Sequence, residues 1–309
     1  MNLILNFFLT VLSVVLLWKG SHWLIDSAVR IARKFQMSDL VIGLTIVAMG
    51  TSAPEFAVSI NAALRGLPDI SVSNVVGSNI FNLGFILGGC AAIREIKTTP
   101  SLVWRDSLFL LCVSFLLVFM FRDLTLSPKE GIVLLACLIL YLAFLFRSKV
   151  PLEEMDAGEE ATGRDILFFL LGIAAVVGGG HLLVHSAVAL ARFFGISEWV
   201  IGVTIVAAGT STPEFATSLV AALKGRYGIS AGNLIGSDLF NLLGVLGLAG
   251  TLRPLTIDQA GLGSLYILVG MVLLVVVFMR TGYRVSRVEG FTLVGVSLVR
   301  WIYDFWGQM

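Results

Sequence analysis

Charge is what this 309-residue sequence has least of. Charged side chains make up 13% of it against 57% hydrophobic ones, and the mean hydropathy is +0.95. A soluble chain of this length needs far more charge to cover its surface, so a soluble globular fold is excluded. There are only three cysteines, Cys90, Cys112 and Cys137. Their odd count and their places inside apolar segments exclude a disulfide framework and a cysteine metal motif, and they read as core filler. No nucleotide-binding motif occurs, so a mechanism that does not use ATP is expected. No H-E-x-x-H occurs either, which leaves an intramembrane metallohydrolase built on His181 and His185 without a third ligand. The first apolar stretch lacks a basic n-region and a small-residue cleavage site, and it reads as a retained span rather than a signal peptide.

Long apolar runs fill the rest. About 20 apolar residues cross a bilayer. Ten such stretches are expected, at 3–29, 39–64, 70–93, 104–121, 129–147, 164–190, 198–223, 229–251, 261–279 and 288–306. The net charge of +1 is uninformative, but its distribution is not. With the N-terminus outside, the odd-numbered loops carry fourteen Lys and Arg and the outside loops and C-terminus six, with Lys19 left inside the first span. The positive-inside rule then places both termini outside.

The one hydrophilic stretch, SKVPLEEMDAGEEATGRD at 148–165, has carboxylates that are not spaced as a calcium loop, and it reads as a solvated linker. It divides the chain into a first five-span unit at 1–147, a cytoplasmic linker at 148–163 and a second unit at 164–309. Five is odd, so two similar units must enter the membrane from opposite sides. The expected fold is an all-α polytopic membrane protein, with ten transmembrane helices as two inverted five-helix repeats. Helices 2, 3, 7 and 8, which carry the repeated blocks, are expected to be discontinuous, an architecture of secondary transporters.

Two sequence blocks recur at an offset of 159 residues. VIGLTIVAMGTSAPEFA (41–57) and VIGVTIVAAGTSTPEFA (200–216) agree at fourteen of seventeen positions, and SNVVGSNIFN (73–82) recurs as GNLIGSDLFN (232–241). Each first block puts a glycine, two hydroxyls, a helix-breaking proline and a glutamate at membrane depth. Pro54 lacks an N–H and clashes with the carbonyl of Gly50 in a continuous helix. Thr51 and Ser52 add hydroxyls and Glu55 a carboxylate; the equivalents are Thr210, Ser211 and Glu214. A proline kink with hydroxyls bonded back to the preceding turn explains one Thr-Ser-x-Pro. It does not explain a glutamate in each half, because a charge at mid-bilayer costs at least about 2.5 kcal/mol. Carbonyl, hydroxyl and carboxylate oxygens without nitrogen or sulfur suit a hard cation, calcium or sodium.

The second block supplies Ser78 and Asn82, and Ser237 and Asn241, each pair on one helical face. Gly77 and Gly236 precede them and permit close helix approach. Asp238 breaks the symmetry, since its counterpart is Asn79. A third acidic ligand, a protonation site and a partner that orients a ligand are all open readings of it. His22 and His181 are equivalent, and His185 aligns with Asp26; buried hydrogen bonding is the expectation for these histidines.

GTSAPEF and GTSTPEF, followed by GSNIFN and GSDLFN, resemble the signature repeats of the calcium/cation antiporter superfamily, and within it the prokaryotic sodium/calcium exchangers. The resemblance covers the whole chain. It implies ten helices, both termini outside, and four central cation sites built by helices 2, 3, 7 and 8, with alternating access by sliding of helices 1 and 6. It also implies residue roles. Glu55 and Glu214 would be ligands shared by calcium and sodium, with oxygens added by Thr51, Ser52, Thr210 and Ser211. Ala48 and Ala207 would offer backbone carbonyls, Ser78 and Ser237 would complete outer sodium sites, and Asn82 and Asn241 would line the middle. Asparagine at 241, where potassium-dependent relatives have aspartate, speaks against potassium coupling.

The expected function is therefore sodium/calcium antiport in a prokaryotic inner membrane. It needs no cofactor and no enzyme chemistry, its partners are calcium, sodium and the bilayer, and it involves no nucleic acid and no obligate protein partner. Proton/calcium antiport on the same fold is the alternative. A cation channel is a remote one, because paired inverted repeats around one enclosed site do not make a ring-lined pore.

Overall fold

A computed structural model of the protein describes residues 3–35, 37–147, 162–195 and 207–306. The expected linker, apart from Thr162 and Gly163, lies outside the described residues, and so does the start of the expected seventh span. The described chain is helical: α1 (Leu3–Lys34), α2 (Asp39–Thr51), α3 (Ala53–Leu64), α4 (Pro68–Ile93), α5 (Leu102–Asp123), α6 (Pro128–Arg147) and α7 (Gly163–Phe193). Then follow α8 (Ala207–Gly209), α9 (Thr212–Leu223), α10 (Tyr227–Leu252), α11 (Gln259–Tyr283) and α12 (Arg287–Trp306). Four two-residue strands, β1 (Ile96–Lys97), β2 (Thr125–Leu126), β3 (Leu255–Thr256) and β4 (Arg284–Val285), pair antiparallel as β1 with β4 and β2 with β3.

Among the described residues, seven helices are long and apolar enough to cross a membrane, or eight when α2 and α3 count as one bent span. Of the other two expected spans, one falls on α8 and α9 and the undescribed segment before them. The other is α12, whose 20 residues include Arg287, Glu289, Arg300 and Asp304.

The proline of the first block acts where it costs least. Pro54 lies in the first turn of α3, where its missing N–H is needed by no partner. The chain therefore breaks just ahead of it, at Ser52 (φ −78°, ψ 9°), and α2 and α3 meet at a 51° bend. Ser211 has the same backbone, φ −85° and ψ 7°, ahead of Pro213. The expected discontinuity of helices 3 and 8 takes a different form. Both α4 and α10 run through without interruption and instead contain π-helical turns, at Asn82–Leu87 and Phe240–Val245. Neither has a proline beyond its first residue, so nothing removes a backbone donor. The wider turn relaxes the ladder without breaking it, a feature that recurs at functional sites.

Burial sorts the helices. The apolar stretch of α10 is 83% buried and that of α4 67%, against 22% for α1 and 28% for α7. The central helices are thus α4 and α10, while α1 and α7 pack along each other at the periphery. Glycines allow that second pairing: a Cβ on Gly172 would meet the Leu24 backbone at 2.7 Å, and one on Gly179 would meet Leu17 at 3.1 Å. α7 starts on a capping box between Thr162 and Asp165, and Asp165 also takes Arg30 from the end of α1 at 2.5 Å. Contacts recur in exchanged form at the repeat offset. Gly131 of α6 packs on Gly247 and Thr251 of α10, as Gly290 of α12 packs on Gly88 and Ala92 of α4.

Candidate functional site

The two breaks and the middles of α4 and α10 bring the repeated blocks together. Thr51, Ser52 and Glu55 flank the α2–α3 break, and Thr210, Ser211 and Glu214 the α8–α9 break. α4 contributes Ser78, Asn79 and Asn82; α10 contributes Ser237, Asp238 and Asn241. Thr210 is half-buried, and each of the other eleven is at most 3% exposed. Ala207 opens α8 one turn before Ser211.

The hydrogen bonds cross from one half to the other. Ser52 Oγ donates to Glu214 Oε1 at 2.9 Å, and Ser211 Oγ donates to Glu55 Oε1 at 3.0 Å. The Thr210 side chain also faces Glu55, and those of Thr51 and Ser237 face Glu214. The Ala48 carbonyl accepts from Thr51 at 3.3 Å and Ser237 at 3.5 Å. The second carboxylate oxygen of each glutamate is buried without a hydrogen-bond partner. Among the described residues, neither glutamate nor Asp238 has a Lys, Arg or His partner. Buried carboxylates persist when a counter-charge or metal compensates them, and the neighbouring groups are all oxygen donors of the kind hard cations take.

Asp238, like the two glutamates, keeps one carboxyl oxygen buried without a hydrogen-bond partner. Its Oδ1 accepts from Asn82 Nδ2 at 3.0 Å, and no three acidic, imidazole or thiol groups gather as a metal cluster among the described residues. Ser78 is buried on α4 one turn before Asn82.

Two asparagines outside the expected set, Asn74 and Asn233, also join this network. Asn233 Nδ2 donates to Ser218 Oγ at 3.0 Å while its oxygen accepts from Thr51 at 3.1 Å. Asn74 Nδ2 likewise donates to Ser59 Oγ at 2.9 Å and to the Glu55 carbonyl at 3.3 Å. Both asparagines are the second residue of the repeated SN/GN block, and the serines also recur at the 159-residue offset. The repeat itself was therefore the signal.

The histidines correct an expectation. His181 and His185 lie exposed on α7 rather than buried. His22 Nδ1 makes a local bond of 2.9 Å to the Trp18 carbonyl. The α1–α7 pair has little protein around it, so its polar side chains have no interior to enter.

The family model described as "Sodium/calcium exchanger protein" matches residues 5–147 and 165–302. The putative antiporter CaxA of Alkalimonas amylolytica is 36% identical over 306 residues, covering 94% of this chain and 96% of its own. The sodium/calcium exchanger MaX1 of Methanosarcina acetivorans is 33% identical, covering 94% and 95%. The solved structure of the sodium-calcium exchanger NCX_Mj soaked with Na+ and Sr2+ superposes with a TM-score of 0.86 at 32% identity, covering 96% of this chain and 98% of that one.

Proposed function

The chain belongs to the sodium/calcium exchanger protein family, and we propose that it is a secondary-active antiporter that exports calcium by admitting sodium. One observation carries this reading: two buried glutamates, one from each repeated block, each take a hydroxyl from the opposite half and keep one oxygen without a partner. Calcium and sodium compete for Glu55 and Glu214. Thr51, Ser52, Thr210 and Ser211 add hydroxyl or carbonyl oxygens, Ala48 and Ala207 backbone carbonyls, and Ser78 and Ser237 the outer sodium positions. Asn82 and Asn241 line the middle. An empty site leaves two uncompensated carboxylates at membrane depth, which is too costly to carry across, so exchange is enforced over leak.

The same reading divides the chain into five-span units at 1–147 and 164–309, inverted about an axis in the membrane plane, with ten spans in all. The exchanged packing of α6 on α10 and α12 on α4, and the exchanged strand pairs, support it. Alternating access follows when the two halves swap conformations. The protein resides in a prokaryotic inner membrane with both termini outside.

Calcium uptake into proteoliposomes loaded with sodium, compared with choline, potassium and an imposed pH gradient, tests the proposal. Sodium-dependent uptake that disappears with Glu55→Gln or Glu214→Gln is the expected result. Uptake driven by the pH gradient alone would replace sodium by protons, and wild-type exchange in both variants would remove the site.

A further inference from the structure

Four side chains at the centre of α4 and α10 settle one another's orientation. The Asp238 backbone carbonyl can only accept, so Asn79, 3.0 Å away, must turn its nitrogen toward it. That leaves Asn79 Oδ1 to accept, and Asn241 donates Nδ2 to it at 3.1 Å. On the other side, the Asp238 carboxyl Oδ1 accepts from Asn82 Nδ2 at 3.0 Å. Both amide nitrogens are thus drawn to the helix–helix seam. The amide oxygens of Asn82 and Asn241 are then the outward ends, and both are buried without a hydrogen-bond partner. Residues 79 and 238 are equivalent at the repeat offset and do the same thing for the asparagine of the opposite half.

We infer that Asp238 is a positioning residue, with Asn79 as its counterpart: each holds the amide of Asn82 or Asn241 so that the carbonyl oxygen, not the nitrogen, faces the transported cation. An asparagine side chain has two nearly equal ends, one attractive and one repulsive to a cation. In a buried site the free end is decided by what holds the other. The requirement at 238 is an acceptor, which asparagine also supplies, and not a third negative charge on the ion.

The inference rests on the proposed cation site, so its test reads calcium whichever ion drives uptake. Proteoliposomes carrying Asp238→Asn, Asp238→Ala, Asn82→Ala and the double variant Asp238→Ala/Asn82→Ala are assayed for calcium KM and maximal rate under both sodium and pH gradients. Asp238→Asn keeps the calcium KM within about threefold of wild type. Asp238→Ala raises it about tenfold with little loss of maximal rate, and the double variant is no worse than either single one, since both remove one oxygen. Asp238→Leu, close in shape to aspartate, gives the same KM should the alanine variant not fold. A tenfold rise in Asp238→Asn would overturn the inference in favour of direct ligation by the charge. So would a wild-type KM in both the alanine and leucine variants, or additive losses in the double variant. Absence of uptake under both gradients in the wild type would instead overturn the transport reading. Calcium-induced thermal stabilisation of the purified variants then decides the positioning role by the same pattern of affinities.

Discussion

At the scale of residues, the proposed site is a set of exchanges between halves. Ser52 serves Glu214 and Ser211 serves Glu55, so neither half contains a complete site. A hydrogen bond to a charged group contributes about 1.5–3 kcal/mol net. Each hydroxyl also fixes which carboxylate oxygen stays free. Ser52→Ala and Ser211→Ala are each expected to raise the calcium KM about tenfold, and by similar factors, because the two bonds are equivalent. Initial-rate uptake measures this. A KM within twofold of wild type in both variants would mean that the hydroxyls are bystanders to ion binding.

At the scale of elements, glycine determines how near α2 and α10 come. Gly228, Gly232 and Gly236 recur every fourth residue along one face of α10, against Asp39, Leu40 and Leu44. At Gly236 the approach is to backbone: a Cβ there would lie 2.5 Å from the Leu44 carbonyl oxygen and 2.7 Å from its Cα. Backbone cannot rotate away as a side-chain tip can, so α2 would have to shift, and with it Ala48 and Thr51. Gly236→Ala is expected to cost about 1–3 kcal/mol through overpacking and to abolish most exchange. Gly270→Ala on α11, where a Cβ meets nothing within 4 Å among the described residues, is expected to be neutral. Thermal unfolding in detergent compares the two, and equal melting temperatures would show that the seam yields.

Elements also explain which features were legible in the sequence. The glutamates, hydroxyls and prolines were readable because lipid penalises each of them and the repeat shows them twice. The break at Ser52 followed from the chemistry of Pro54. The π-helical turns of α4 and α10 did not follow, since no residue type is required to widen a turn. Nor was the pairing of Thr51 with Asn233 visible, because it spans 182 residues and depends on the crossing of α2 over α10. His181 and His185 are exposed where burial is expected, since periodicity does not distinguish a helix packed on one neighbour from one packed on several.

At the scale of the whole molecule, the ion pairs between helices among the described residues gather at one end. Arg30 with Asp165, Lys224 with Asp26, Arg226 with Asp39 and Arg284 with Glu95 link the ends of α1, α9 and α11 to their neighbours. Arg94 also donates to Tyr227 Oη at 3.0 Å and to the Leu223 carbonyl. β1 and β4 lie at this end, joining the loops that follow α4 and α11. β2 and β3 join the loops after α5 and α10. The loops that the positive-inside rule assigns to the cytoplasm are therefore neighbours in space, as a single membrane face requires. The two more exposed pairs, Lys224 with Asp26 and Arg284 with Glu95, contribute little to stability, about 0–1 kcal/mol each, so their clustering bears on orientation more than on folding. In a variant whose three cysteines are replaced, Lys129→Cys is expected to react with a membrane-impermeant thiol reagent on intact cells. Lys97→Cys, exposed on β1, is expected to react only after permeabilisation. The reverse pattern would place the termini in the cytoplasm, and labelling of both positions from outside would contradict the span order between them.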